Sequence, residues 1–278
     1  MEHRDRATGW KYAKLSGHKN EELVKILLDE NPEFSQRFLQ NIDFQNTTIL
    51  NTSIGGLHET NIPGVNGKKT KSKTDLKVFL SNGKLVNISI KKSLSGQVYL
   101  VHADSFINTY EKQFNKGIPN EVKAAINLFW ANSPNADNII NIFADKTQQK
   151  AYNLQIRHHS LNATTLKEYN INLYCSLLNW FIDNIYEITK LCFSMGAAKN
   201  SDDWSDYIWY INLLKENNIN DLIEIEEICN KSIQVAEKEI YYGNTNGGTT
   251  IQLPFGFVQW HKGMIQFHHN YNKIISIL

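Results

Sequence analysis

The residues of this chain best suited to chemistry lie in one short stretch, KTDLKVFLSNGKLVNISIKKS, positions 73–93. Two alternating apolar runs flank Asn82-Gly83, the pattern of a β-hairpin. Its register decides which side chains meet. A two-residue loop would set Asp75 across from Ile90 and split the apolar residues between both faces. An odd loop, Asn82 to Lys84, gathers Leu76, Val78, Leu80, Val86, Ile88 and Ile90 on one face and leaves Asp75, Lys77, Ser89 and Lys91 on the other. Burial sets register more firmly than turn preference, so the second pairing is expected, with Asp75 opposite Lys91 and Ser89 two residues away. A carboxylate, a hydroxyl and an ammonium then converge at one end of a hairpin. Phosphodiester hydrolysis uses such a set: a divalent cation to neutralise developing charge and activate water, and a cationic group near the scissile phosphate. Asp75 is a hard oxygen ligand of the kind Mg²⁺ prefers, and the Ile90 carbonyl between the two side chains is a further one. Lys91 can orient or deprotonate the water. By itself the spacing D-x₁₃-S-x-K also fits an ordinary cross-strand Asp–Lys pair, worth about 0.2–1 kcal/mol.

The surroundings of the hairpin are basic. From Gly67 to Ser93 there are eight lysines against Asp75 alone, whereas Gly196 to Ile240 holds ten acids and four lysines. The net charge of +1 excludes a histone-like coat of nucleic acid, but a concentrated basic stretch is what a phosphate-facing surface requires. The 278 residues, 41% hydrophobic with 11% aromatic, exclude general disorder and suffice for a substantial core. No apolar run reaches the roughly 18 residues of a membrane span, and the sequence begins without a secretory signal. Cys175, Cys192 and Cys229 are too widely spaced for a zinc motif and suit a reducing compartment, so a cytoplasmic location is expected.

Periodicity predicts a helix over 20–42 with Glu21 and Glu22 in its first turn and a kink or restart at Pro32. A β-like segment over 46–57 ends in Gly55-Gly56. The hairpin follows, then a strand over 97–101. Helices are expected over 105–115, 119–131, 136–157, 166–195, 202–215 and 221–239. Strands close the chain at 240–242, 249–253, 255–260 and 264–268. The fold class is therefore α/β, or mixed α+β: one mixed central sheet flanked by helices, with a helical insertion. We expect one domain over 1–278, with a catalytic core at 1–116, a helical segment at 117–239, and strands at 240–278 that complete the sheet.

The segment KTDLKVFL…NISIKKS resembles the metal-binding core of the PD-(D/E)XK nuclease superfamily, and more closely the type II restriction endonucleases of the MspI-like group and its GCGC-cutting relatives. In that group the acidic place before the lysine is commonly Asn or Gln, followed by Lys and a nearby Ser; here Ser89, Lys91 and Ser93 hold those places. The resemblance continues, in the same order, through SGHKNEE, SGQVYLVHAD, LLNWFIDN, GAAKNSDDWSDYIWYI and FGFVQWHKGMIQFHH. It implies a restriction-endonuclease-like core that cuts double-stranded DNA at a short palindrome of four to six base pairs, with Mg²⁺ as cofactor and Mn²⁺ as a substitute. A methyltransferase encoded nearby is implied genetically, not as a stable partner, and the enzyme would act as a monomer or homodimer. Two departures stand out. Thr74 replaces the proline, and Ser89 removes a carboxylate, leaving Asp75 as the sole acid of the hairpin. Glu21, with Glu22 as the alternative, is then the best candidate for a second metal ligand; its other reading is a residue favoured by a helix N-terminus.

A site-specific nuclease also needs donors and acceptors for base edges. The turn GNTNGG and the segment QWHKG offer Asn244, Asn246, Gln259, His261 and Lys262, although each is also what a polar turn would contain. Lys73, Lys92 and Ser93 flank the hairpin and could hold the scissile backbone. The adjacent pairs His158-His159 and His268-His269 point in different directions in any regular element and are not expected to chelate a metal. A repair or structure-specific nuclease, and a catalytically inactive DNA-binding protein, are the alternative functions.

Overall fold

A computed structural model describes residues 6–55, 61–131, 133–153, 159–215 and 219–278, with side chains from 15 onward. Gly56, Leu57, Arg157 and His158 lie outside the described residues. In chain order the elements are α1 (Arg6–Glu30), α2 (Pro32–Asn41), β1 (Ile49–Ile54), β2 (Ile62–Pro63), β3 (Lys69–Thr70), β4 (Leu76–Leu80), β5 (Leu85–Lys91) and β6 (Ser95–His102). Then come α3 (Ala103–Phe114), α4 (Asn120–Trp130), α5 (Pro134–Phe143), α6 (Lys146–Asn153), α7 (Ala163–Tyr169), α8 (Ile171–Asp183) and α9 (Ile185–Lys190). The chain ends with β7 (Tyr207–Ile211), β8 (Asn220–Glu224), α10 (Ile225–Glu239), β9 (Tyr241–Tyr242), β10 (Thr250–Leu253), β11 (Gly256–His261), β12 (Met264–Asn270) and α11 (Tyr271–Ile277). The class is mixed α/β, as expected. No described helix is long and apolar enough to cross a membrane.

Two compact units are present, 1–94 with 193–225, and 95–192 with 226–278. The first is built on a sheet of order β1-β4-β5-β7-β8, mixed because β5 and β7 run parallel while the other pairs are antiparallel. Its core face is the one the alternation predicts: Leu76, Val78, Leu80, Val86, Ile88 and Ile90 are all buried. Val24 and Leu28 of α1, Phe38 and Leu39 of α2 and Trp209 of β7 complete that cluster, with Phe38 stacked on Trp209 at 5.7 Å or less alongside Phe34. The second unit carries a separate sheet, β6-β12-β11-β10-β9, antiparallel throughout. Phe106 of α3 packs on Phe267 of β12 at 5.6 Å, and Trp180 of α8 meets Phe106 and Tyr110 of α3 edge-on.

Several expected elements differ. The segment 202–215 is a single 3₁₀ turn followed by strand β7, because YIWYI is β-branched and aromatic and lies buried in the interior of the sheet, where no alternation is required. Residues 220–224 likewise form β8 before α10 begins. The long helix expected over 166–195 is three: Asn170 caps α8 through its side chain, and Asn184 marks the break before α9. Residues 136–157 divide into α5 and α6. Pro32 does restart the helix, with Asn31 accepting from the Phe34 amide as N-cap. The single expected sheet is two, since the C-terminal strands pair with β6 while the first sheet recruits β7 and β8 from the middle of the chain.

Candidate functional site

The hairpin β4–β5 keeps the expected faces but not the expected partner. Leu76 pairs with Ile88 and Val78 with Val86, which sets Asp75 across from Ser89, not Lys91. The loop is Ser81–Gly83. The Leu80 amide donates to the Lys84 carbonyl, and Gly83 takes a left-handed φ of 83° that closes a three-residue turn. A slip of two residues preserves parity, so Asp75, Ser89 and Lys91 still share one face.

They meet there. The Ser89 hydroxyl donates to Asp75 Oδ2 at 3.1 Å, and the Ile90 amide donates to the same oxygen at 2.8 Å. Lys91 Nζ donates to Ser89 Oγ at 2.6 Å and to the Ile90 carbonyl at 3.3 Å, and stands 3.6 Å from Asp75 Oδ2. Ser89 thus bridges the carboxylate and the ammonium. The side chains of Asp75 and Lys91 are each 22% exposed, so both can meet a ligand. Thr74, in the proline's place, is fully buried; its amide donates to Ser72 Oγ, which in turn donates to the Asp203 carbonyl. Hydroxyls therefore hold the turn into β4 that a proline would otherwise shape. On the same face Lys77 is engaged by Asp203 at 3.5 Å and Asn87 Nδ2 donates to the Asp202 carbonyl, so the 3₁₀ turn covers that end of the face.

Glu21 is not in a first helical turn. It lies well inside α1, which removes the helix-dipole explanation. The rotation of α1 is fixed next door: Asn20, 1% exposed, donates to the Ile211 carbonyl at 2.9 Å and accepts from the Leu213 amide at 2.8 Å. The Glu21 carboxyl is raised above the usual range, first by burial and then by the negative charge of Asp75, against the opposing pull of His18 and Lys91. Two carboxylates within electrostatic reach, one of them desolvated, are short of positive charge. His18 Nδ1 lies 3.2 Å from Glu21 Oε2; its Nε2 is buried and finds no hydrogen-bond partner among the described residues. Sequence reasoning overlooked His18 and Asn20. The H-x-x-E spacing, which stacks two side chains on one helix face, was the available signal.

The flanking residues divide. The Lys92 ammonium is held by Ser16 Oγ of α1, and the Lys92 carbonyl accepts from Asn212. Lys73 runs its methylenes beside Gly196. Ser93 is exposed. In the second unit, Asn244 and Asn246 are exposed on a turn whose carbonyls are pinned: Asn162 Nδ2 donates to Asn246 O and the Ala163 amide to Gly248 O. Lys262 forms the tip of the β11–β12 turn beside the half-buried His261. Gln259 is tied into a row of amides on β11 and β12. His269 is buried and His268 stacks on Phe257.

The hairpin cluster is an oxygen-rich site. Among the described residues no three His, Cys, Asp or Glu side chains come together as a metal group. Asp75 and Glu21 nonetheless suit a hard cation that keeps several waters. Asp75 Oδ1 and Glu21 Oε1 accept no hydrogen bond among the described residues, and the Ile90 carbonyl, though bonded to Lys91, retains a lone pair.

No protein-family model matches the chain, and no curated protein matches it. Among solved structures it is similar to restriction endonuclease MspI in complex with its cognate DNA, at a TM-score of 0.47 and 13% identity, over 85% of this chain and 77% of that one. The chemistry of the site stands on its own geometry.

Proposed function

We propose that the chain is a Mg²⁺-dependent, site-specific endonuclease of double-stranded DNA, of the restriction type, cutting at a short palindrome. The observation that carries the reading is the convergence of Asp75, Ser89 and Lys91 on one hairpin face, with the Glu21 carboxyl of α1 close enough for the charge of Asp75 to raise its pKa. Asp75 and Glu21, with the Ile90 carbonyl, would hold the cation, and Mn²⁺ would substitute for Mg²⁺. When bound, such a cation neutralises charge on the scissile phosphate and acidifies a water. Lys91 places a positive charge beside that phosphate and orients the attacking water. Ser89 keeps the ammonium and the carboxylate in register by bonding to both. His18 orients the Glu21 carboxylate. The lysines of the 67–93 stretch favour an anionic backbone nearby.

The test is digestion of plasmid and phage DNA in Mg²⁺, with sequencing of the ends. Discrete fragments sharing one short motif are expected. Smears, or cutting confined to junctions, would instead favour a structure-specific nuclease. Asp75→Ala and Lys91→Ala should each abolish cleavage while DNA binding in Ca²⁺ persists. Full activity in either variant overturns the assignment.

A further inference from the structure

From Ile240 to Leu278 the chain contains no aspartate or glutamate, and the strands of that segment are rich in amides and imidazoles. On one face of the second sheet these side chains form a connected row. Gln259 and Gln266 pair directly across β11 and β12, and Gln259 Nε2 donates to Gln266 Oε1 at 2.8 Å. Gln266 Nε2 donates in turn to Gln97 Oε1 of β6 at 2.8 Å. Gln259 Nε2 also lies 3.2 Å from His268 Nε2. The His268 ring is held flat against Phe257, with centroids 4.5 Å apart and planes at 9°. Burial, and the neighbouring His261, lower its pKa and favour the neutral ring, whose Nε2 lone pair accepts the second Gln259 hydrogen. The chain of donors therefore has one sense, from Gln259 toward Gln97.

This arrangement uses up both hydrogens of the Gln259 amide and leaves Oε1, which makes no hydrogen bond among the described residues. An unrestrained glutamine reads adenine through two bonds, accepting from N6 and donating to N7. Gln259 lacks the donor half. In the major groove only the exocyclic amino groups, adenine N6 and cytosine N4, can satisfy an acceptor. The amide row lies on the face of the five-stranded sheet, on strands flanked by β10 and β6, and the tight turn Lys262-Gly263, with φ of 51° and 78°, joins β11 to β12 at one end of that face.

We propose that Gln259 is a specificity-determining residue that accepts one hydrogen bond from the exocyclic amino group of an adenine or cytosine in the major groove, and that Gln266 and His268 are positioning residues that hold its amide in that sense. The inference rests on the reading of the chain as a DNA-directed nuclease.

The experiment is a binding selection in Ca²⁺ with duplexes carrying a randomised eight-base-pair window, so that cleavage is not needed; cleavage in Mg²⁺ is scored separately. Selected duplexes are then remade with N6-methyladenine or N4-methylcytosine at each position in turn, or with 7-deazapurine. At one position the methylated amine should weaken wild-type binding about 10- to 100-fold, while 7-deazapurine there has no effect. Gln259→Leu should lose the same factor and become indifferent to the methyl group. Gln266→Leu and His268→Phe each free a Gln259 hydrogen; they should relax the preference at that position alone, a change that a merely structural role would not produce. Circular dichroism and thermal unfolding confirm that each variant folds, and Gln259→Glu, which keeps an acceptor, should retain the preference. A wild type without sequence preference, variants that select identical sequences, or sensitivity to the deazapurine and not to the methyl group would overturn the proposal. Absence of Mg²⁺ cleavage with preferences intact would instead reject the nuclease reading alone.

Discussion

Replacing Lys91 by methionine keeps the length of the side chain and removes its charge. The ammonium lies 3.6 Å from Asp75 Oδ2. At an effective dielectric of about 20 the gross attraction at that distance is about 4–5 kcal/mol. Both groups reach solvent, and Asp75 keeps the Ser89 hydroxyl and the Ile90 amide as donors, so most of that attraction is offset by hydration. The metal-free protein should therefore lose only about 1 kcal/mol of stability. Catalysis should respond far more. A positioned cation acting on charge that develops in the transition state contributes about 10²–10³-fold, and a proton-transfer role about 10²–10⁴-fold. Single-turnover cleavage in Mg²⁺ should thus fall by at least about 10²-fold. Thermal unfolding with and without Ca²⁺ separates the causes: Lys91→Met should retain a Ca²⁺-induced rise in Tm, because Asp75 and Glu21 remain, whereas Asp75→Asn should lose it. Lys91→Arg then divides charge from proton transfer, since a guanidinium does not deprotonate; partial rescue favours charge. Cleavage by Lys91→Met within about fivefold of wild type, or loss of its Ca²⁺ response, would refute the reasoning.

Asn20→Ala leaves the Ile211 carbonyl and the Leu213 amide without their buried partner; a loss of about 2–4 kcal/mol in chemical denaturation is expected, together with weaker Ca²⁺ stabilisation because α1 can rotate Glu21 away. Glu21→Gln removes a carboxylate whose pKa is raised on folding, a group that destabilises the metal-free protein above the unfolded pKa; the variant should be more stable than wild type at neutral pH and lose that advantage as pH falls toward 4.5, as read by Tm across pH. His268 has the opposite linkage: its folded pKa is lowered from 6.5, so the unfolded chain binds the extra proton and stability falls as pH drops below that value, a slope that His268→Gln should reduce. Gly83→Ala meets no side chain but must adopt a φ of 83°, and should lose about 1–2 kcal/mol in Tm-derived stability without loss of metal response.

The sequence made the faces of the hairpin legible because alternation has a period of two, and any register that buries Leu76, Val78, Val86 and Ile88 places Asp75 and Lys91 together. It did not give the partner, since registers differing by two residues bury the same set and are separated only by the turn. There the left-handed φ at Gly83 closes Ser81–Gly83 one residue earlier than expected. The inner strand β7 escapes local pattern for a related reason. A strand buried within the sheet needs no polar alternation, and the acids of SDDWSDY resemble a helix start. That β7 returns to pair with β5 across more than a hundred residues is a long-range fact that no local pattern carries. Glu21 reads in the sequence as a helix-start acid, yet where its carboxyl lies depends on the rotation of α1, which Asn20 fixes through β7. The helix that carries Glu21 and the strand β7 are therefore tied to one another through Asn20.

That coupling bears on the departure at Ser89. With an acid in that place, the hairpin would carry two carboxylates by itself, and the second ligand would be set by strand register alone. With serine there, the second carboxylate of the proposed site is Glu21 of α1, and its position is only as exact as the helix rotation. Ser89→Asp separates these cases. Ser89 is 4% exposed and bonds both Asp75 and Lys91, so an aspartate would press a third negative charge on Asp75 and Glu21 and should lower the metal-free Tm. If the site is a cation site, the same substitution should enlarge the Ca²⁺-induced rise in Tm and make Glu21→Gln less damaging to it, because the hairpin would then supply the ligand that α1 otherwise provides. A Ser89→Asp variant that is destabilised in both the presence and absence of Ca²⁺, to the same extent, would show that the cluster is an ion pair and nothing more.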